Sequence, residues 1–123
     1  MSDLEGAKVL VVEDEYFIAD DLVRALDAAG GTAVGPAGSL HHARSLLQDE
    51  QIDAAIVDLN LHGEMAFPLV IEIRERGLPC VIMSGYSPES LPEPLRQVTS
   101  LEKPVDYGRV VRTLAAQMVP KAA

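Results

Sequence analysis

Short apolar runs alternate along this chain with amphipathic stretches of helical period. Residues 7–12 (AKVLVV) form a first run of the kind buried on both faces of a sheet, and it stops abruptly at Glu13-Asp14-Glu15. From Ile18 the apolar positions Ile18, Leu22, Ala25, Leu26 and Ala29 recur at helical steps, with Asp20 and Arg24 together on the opposite face and Gly30-Gly31 as the stop. Residues 32–34 predict a weak strand, and Ser39 a cap for a helix carrying Leu40, Ala43, Leu46 and Leu47. Residues 54–57 (AAIV) are a second buried run, ended by Asp58. Pro68 suits the first turn of a helix whose inner face is Val70 and Ile73, whose Glu72 and Arg76 pair across one turn, and which Gly77 closes. Residues 80–83 (CVIM) make the third buried run.

The pattern weakens between residues 84 and 97, where Pro88, Pro92 and Pro94 each remove a backbone donor, so a short or broken helix is predicted there. Residues 98–101 predict a last strand. Asp106 predicts the cap of a final helix with Tyr107, Val110, Val111, Leu114 and Met118 at helical spacing, fraying at Pro120. Strands alternating with helices imply a parallel sheet with helices on both faces, because parallel neighbours need a crossover. The fold class is therefore α/β, with a strand order that periodicity leaves open. No repeat, low-complexity segment or linker interrupts the 123 residues, so one domain over 1–123 with no output domain is expected.

Composition narrows the function. Ten basic against 19 acidic side chains give a net charge of −9, which repels phosphate backbones and anionic lipid, so neither nucleic acid nor membrane is an expected partner. No apolar stretch approaches the ~20 residues that span a bilayer. Hydrophobic residues make up 48% of the chain, enough for a core without metals or disulfides, which excludes a disordered or collagen-like chain. The single Cys80 cannot pair internally and no apolar N-terminal run resembles a secretory signal, so a cytoplasmic location is expected.

The polar residues of interest fall at strand ends: Glu13 and Asp14 after the first strand, Asp58 after the third, Ser84 after the fourth and Lys103 after the fifth. In open parallel sheets the crevice beyond the carboxyl ends of the strands is the binding site, so these side chains converge. Three carboxylates together repel one another and call for a cation, and oxygen ligands with room for water and phosphate oxygens favour Mg²⁺. A metal, a Lys and a Ser hydroxyl around a carboxylate suit phosphoryl transfer to that carboxylate.

These residues lie in VLVVEDE, IVDLNLHGE around Asp58, VIMSGY at Ser84 and LEKP at Lys103, an ordered set that resembles the receiver domains of two-component response regulators over nearly the whole chain. The resemblance implies a flavodoxin-like (βα)5 fold, a doubly wound five-stranded parallel sheet. It implies Asp58 as phosphoacceptor, Asp14 as a direct Mg²⁺ ligand, Glu13 as a ligand through water and Asn60 as a ligand through its backbone carbonyl. Ser84 and Lys103 would bind phosphoryl oxygens, and Pro104 would follow Lys103 through a cis peptide. Such a protein is a phosphoacceptor with self-catalysed loading and release, not a turnover enzyme. Its phosphate would come from a sensor histidine kinase or a histidine phosphotransfer protein, its output from a downstream protein or onward transfer, with a homodimer on phosphorylation left open.

One position departs from the family: many receivers carry Tyr or Phe three residues before the Lys, where this chain has Ser100. Tyr86 is the candidate replacement for that aromatic switch, and the LHGE, SGY and LEKP pattern is similar to a subgroup of stand-alone regulators, often alphaproteobacterial. The bland readings are a helix-start role for Glu15, surface positions for His41, His42 and His62, a buried Cys80, and a Tyr86 that only covers the core edge. Two other functions compete. A phosphorylation-independent interaction module would keep the fold and ignore the pocket. A haloacid-dehalogenase-like phosphohydrolase also uses Asp, Ser or Thr and Lys in this order, but needs an acid where Asn60 stands.

Overall fold

Strand and helix boundaries follow the hydrophobic pattern to within a few residues in the computed structural model, which describes residues 4–118. The elements run β1 (Lys8–Val12), α1 (Tyr16–Ala28), β2 (Thr32–Ala37), α2 (Leu40–Asp49), β3 (Ala54–Asp58), a hairpin of β4 (Asn60–Leu61) and β5 (Glu64–Met65), and α3 (Phe67–Glu75). They continue with β6 (Cys80–Ser84), single 3-10 turns at Pro88–Ser90 and Glu93–Leu95, β7 (Thr99–Glu102) and α4 (Tyr107–Met118). The expectation at Pro120 lies outside the described residues.

Five strands form one parallel sheet in the order β2-β1-β3-β6-β7, the flavodoxin-like arrangement. Alternation along β1 divides the core. Leu10 and Val12 face α2 and α3 through Leu47, Leu69, Val70 and Ile73, while Val9 and Val11 face α1 and α4 through Leu22, Leu26, Val110 and Leu114. The chain leaves β1 for β2 on one side and returns for β3 on the other, so the sheet's switch point lies between β1 and β3. That is where an open α/β sheet leaves a crevice for a ligand.

Local chemistry fixes the helices as the sequence implies. Ser39 Oγ accepts from the His42 N–H at 3.1 Å, Asp106 Oδ1 accepts from the Gly108 N–H at 3.4 Å, and Asp20 pairs with Arg24 at 3.0 Å. Glu72 and Arg76 meet at 3.7 Å, and Gly77 closes α3 at φ +75°. Glu15 differs: it is the N-cap residue of α1, one position before the helix, and its side chain makes no capping hydrogen bond.

The weak second strand runs further than its apolar residues predict. β2 continues through Gly35 and a cis Pro36 to Ala37, and its register on β1 jumps from Leu10↔Val34 to Val12↔Ala37. Gly35 sits at φ +100°, and a Cβ there would lie 2.8 Å from the Ala37 nitrogen and 3.0 Å from the Val11 oxygen. Gly35→Ala is therefore expected to cost about 2–4 kcal/mol in urea unfolding, from backbone strain plus overpacking. An unchanged midpoint would contradict this reading of the bulge.

In the proline-rich stretch the short or broken helix expected from the sequence takes the form of two single 3-10 turns. Each 3-10 turn is closed by two backbone bonds, Ser90 N–H to the Ser87 oxygen at 3.0 Å and Leu91 N–H to the Pro88 oxygen at 3.2 Å in the first, Leu95 N–H to the Pro92 oxygen at 2.9 Å and Arg96 N–H to the Glu93 oxygen at 3.1 Å in the second. Buried Leu91 and Leu95 pin the turns to the core, and the Arg74 guanidinium donates to the Pro94 carbonyl at 3.2 Å and to Gln97 Oε1. No helix among the described residues is long and apolar enough to cross a membrane.

Candidate functional site

The carboxyl ends of β1, β3, β6 and β7 bring the anticipated polar residues to one edge of the sheet. Asp58 is the last residue of β3 and only 3% exposed. Its Oδ2 accepts from Lys103 Nζ at 2.9 Å and its Oδ1 from the Asn60 N–H at 3.1 Å. Lys103 follows β7 directly, its backbone N–H donates to the Ser84 carbonyl at 2.7 Å, and its peptide to Pro104 is cis. The strand pairing β3–β6–β7 thus fixes the Lys103 ammonium over Asp58.

Glu13 and Asp14 complete the cluster from β1, with carboxylate oxygens of Glu13, Asp14 and Asp58 all within 4.8 Å of one another. Glu13 is 3% exposed. Its Oε2 accepts from the Glu15 N–H at 3.2 Å, while its Oε1 is buried with no donor to accept from. A buried acceptor left unpaired beside two further carboxylates is a donor set that fits a hard divalent cation with oxygen ligands.

Burial, together with the hydrogen bond and charge of Asp58, pushes the Glu13 carboxyl from the ordinary 4.5 to about 8, against the Glu15 amide and the Lys103 charge. Burial works to lower Lys103, but the hydrogen bond and charge of Asp58 and the charge of Glu13 outweigh it and hold the ammonium above its usual range. Without metal, the folded chain therefore keeps a proton on Glu13 that the unfolded chain releases, and stability falls as pH rises from about 4.5 to about 8. Glu13→Gln is expected to remove this part of the slope. Thermal unfolding in chelator should match wild type below that window and show a higher midpoint for the variant at its top; parallel curves would contradict the assignment.

Ser84, 1% exposed at the end of β6, is turned toward its own loop: its Oγ accepts from the Tyr86 N–H at 2.9 Å, and it has no hydrogen bond to Asp58 or to the Lys103 ammonium. Tyr86 is 52% exposed beside a cavity of about 360 Å³ that Met65, Phe67, Leu91 and Pro92 also line. Ser100, opposite Ile82 in the sheet, is partly buried with an unpartnered Oγ. Cys80 is buried, and burial alone pushes its thiol up to about 12, so it is an inert core residue.

Residue-by-residue reading of the sequence overlooks one neighbour. His41 and His42 are exposed, as expected, but His62 Nε2 lies 3.2 Å from Asp14 Oδ2. The signal was present in His62-Gly63. Both residues have positive φ, +50° and +86°, as the two-residue type I′ turn between β4 and β5 requires, and Asn60 Oδ1 accepts from the Gly63 N–H at 2.7 Å.

Residues 9–115 match the family described as the response regulator receiver domain. The chain belongs to that family. Receiver domains are phosphoacceptors that take phosphate from sensor kinases in two-component signalling, and are not turnover enzymes. Among solved structures, this receiver is similar to SdrG from Sphingomonas melonis Fr1, at 36% identity and a TM-score of 0.77, covering 97% of this chain and 100% of that one. It is similar to the BeF₃-activated conformation of SdrG from Pseudomonas melonis Fr1, at 35% identity and a TM-score of 0.74, covering 91% of this chain and 96% of that one. The response regulator TrrA from Thermotoga maritima, in complex with Mg²⁺ and BeF, shares the receiver fold at 18% identity and a TM-score of 0.77, covering 92% and 99% of the two chains. No curated protein matches this receiver.

Proposed function

We propose that this receiver accepts a phosphoryl group on Asp58 from a phosphohistidine of a sensor kinase or histidine phosphotransfer protein, with Mg²⁺, and signals through protein contacts or onward transfer. The observation that carries the reading is the buried Asp58 held at 2.9 Å by the Lys103 ammonium beside Glu13 and Asp14. A carboxylate oxygen of Asp58 attacks phosphorus, the P–N bond breaks, and its electron pair returns to the donor imidazole. Lys103 and Ser84 take the phosphoryl oxygens, where charge builds up. Mg²⁺ would be held by Asp14, Asp58 and the Asn60 carbonyl, with Glu13 acting through water, and when bound it neutralises the oxygens in flight. The binding of Mg²⁺ with BeF by the T. maritima protein supports this choice of ion.

Ser84 gives the reading a conformational consequence. Its Oγ accepts from the Tyr86 N–H and keeps its own O–H free to donate, so a shift of the hydroxyl toward a phosphoryl oxygen draws with it the loop that carries the Tyr86 ring. With Ser100 in the usual aromatic position, the half-exposed Tyr86 beside its apolar cavity is the readout. Covering or uncovering about 100 Å² of that ring changes partner affinity by roughly 2–3 kcal/mol, some thirtyfold to a hundredfold. Tyr86→Ala should therefore weaken phosphorylation-dependent partner binding by at least about tenfold and change the phosphoryl lifetime. Unchanged values of both would place the readout in the proline-rich segment instead.

The test of the function is BeF₃⁻ added with Mg²⁺ and followed by amide chemical shifts. Large shifts are expected at residues 58–60, 84–86 and 103, and none in Asp58→Asn. Shifts of equal size in the variant would contradict the proposal.

A further inference from the structure

β2 ends the sheet on one side, and the groove it shares with α1 takes no part in the chemistry at Asp58. Two adjoining cavities of about 250 and 260 Å³ run between that strand and the helix, and both are lined by Val23 and Ala33. The free edge of β2 lies along them. Thr32 donates its N–H to the Ala7 carbonyl at 2.8 Å and stands opposite Lys8, and in a parallel pair every second residue turns its backbone groups to the same neighbour. The N–H and C=O of Ala33 therefore face outward, where no strand follows. The register jump beyond Val34 and Pro36, which has no N–H to give, stop further pairing, so the part of the edge open to an added strand is residues 32–34.

The helix wall has a matching repeat. Ala19, Val23 and Asp27 line the groove one turn apart, about 6 Å, close to the spacing of alternate residues along a strand, roughly 6.7 Å. Asp20 is taken by Arg24, whereas Asp27 makes no ion pair among the described residues. At the upper end Tyr16 is 75% exposed, an uncovered aromatic held edge-on against Phe17 at 5.5 Å. A net charge of −9 repels a second copy of the chain and draws a basic partner. We propose that this groove docks a basic, extended segment of a partner protein, which adds to β2 as a sixth strand and lays apolar, apolar and cationic side chains at alternate positions over Ala19, Val23 and Asp27. Backbone pairing with Ala33 supplies the affinity and the three side chains the specificity. Such docking holds a partner beside the receiver without occupying the crevice at Asp58.

The probe is a synthetic peptide, acetyl-Thr-Val-Thr-Val-Thr-Arg-Thr-amide, titrated into the full chain and followed by amide chemical shifts. Saturable shifts are expected at residues 23, 27 and 32–34, with a Kd below about 1 mM. Val23 is half-buried and outside both core clusters, so Val23→Glu spares the fold and should weaken binding at least about tenfold. Asp27→Lys should weaken it about threefold or more and favour a peptide with Glu in place of Arg. A peptide N-methylated at its three central residues cannot donate to the Ala33 carbonyl and should not bind, which tests the same contact on the unaltered chain. Equal binding of the methylated peptide, shifts centred on residues 84–92, or no saturable shifts in wild type overturns the docking site. Concentration-dependent shifts at residues 23, 27 and 32–34 without peptide, with a dimer in sedimentation, make the groove a contact between copies and overturn the basic partner.

Discussion

Asp58→Asn is expected to abolish phosphoryl loading while leaving the fold at least as stable as wild type. The two effects have one cause. Asn keeps an oxygen for the Asn60 N–H but has no nucleophilic carboxylate, so loading falls below detection. The substitution also removes one buried negative charge that holds a proton on Glu13. Lys103, whose side chain is about one-third exposed, can turn its freed ammonium to water. Metal-free stability should therefore be unchanged or higher by up to about 1 kcal/mol. A large loss of stability in urea would mean that the Asp58–Lys103 pair is needed for folding, and would undercut its assignment to function.

Lys103→Ala is expected to act in the opposite sense. It leaves Asp58 without the only cation bonded to it among the described residues and Glu13 without the nearby Lys103 charge, and deleting one partner of a buried pair typically costs about 3–5 kcal/mol. Glu13 already carries its proton at neutral pH and the Lys103 side chain is partly solvated, so about 1–3 kcal/mol is expected here. Phosphoryl loading should persist at a reduced rate, whereas the coupled movement of residues 84–86 and 99–103 should disappear. The side chain is the link that ties the modified Asp58 to β7. Full-size shifts at Tyr86 on BeF₃⁻ binding to Lys103→Ala would contradict this. So would unaltered stability.

The sheet was legible in the sequence because each strand, buried on both faces, is written as a bare apolar run such as AAIV or CVIM, and each helix as a separate amphipathic stretch. Convergence of Glu13, Asp14, Asp58 and Lys103 followed from a single rule, that parallel strands align their carboxyl ends. Strand order was not legible, since a run buried on both faces has the same pattern at the centre of a sheet wherever it pairs. The bulge of β2 was missed because Gly35-Pro36 looks like a terminator, and only the tertiary register shows the strand resuming at Ala37. His62 was missed because a single exposed imidazole carries no periodic signal; its approach to Asp14 depends on the backbone of a two-residue turn. The internal bond of Ser84 to Tyr86 belongs to the same class, set by loop geometry and invisible to spacing.

The central claim is that Asp58 takes the phosphoryl group, and the most direct test is to find where that group goes. The wild-type protein is treated with a small phosphodonor and Mg²⁺, reduced with borohydride, which converts an aspartyl phosphate to homoserine, and mapped by tandem mass spectrometry. The account predicts homoserine at position 58 alone, and none when Mg²⁺ is withheld. Modification at Asp14, or a stable phosphate ester on Ser84 with Asp58 intact, would contradict it.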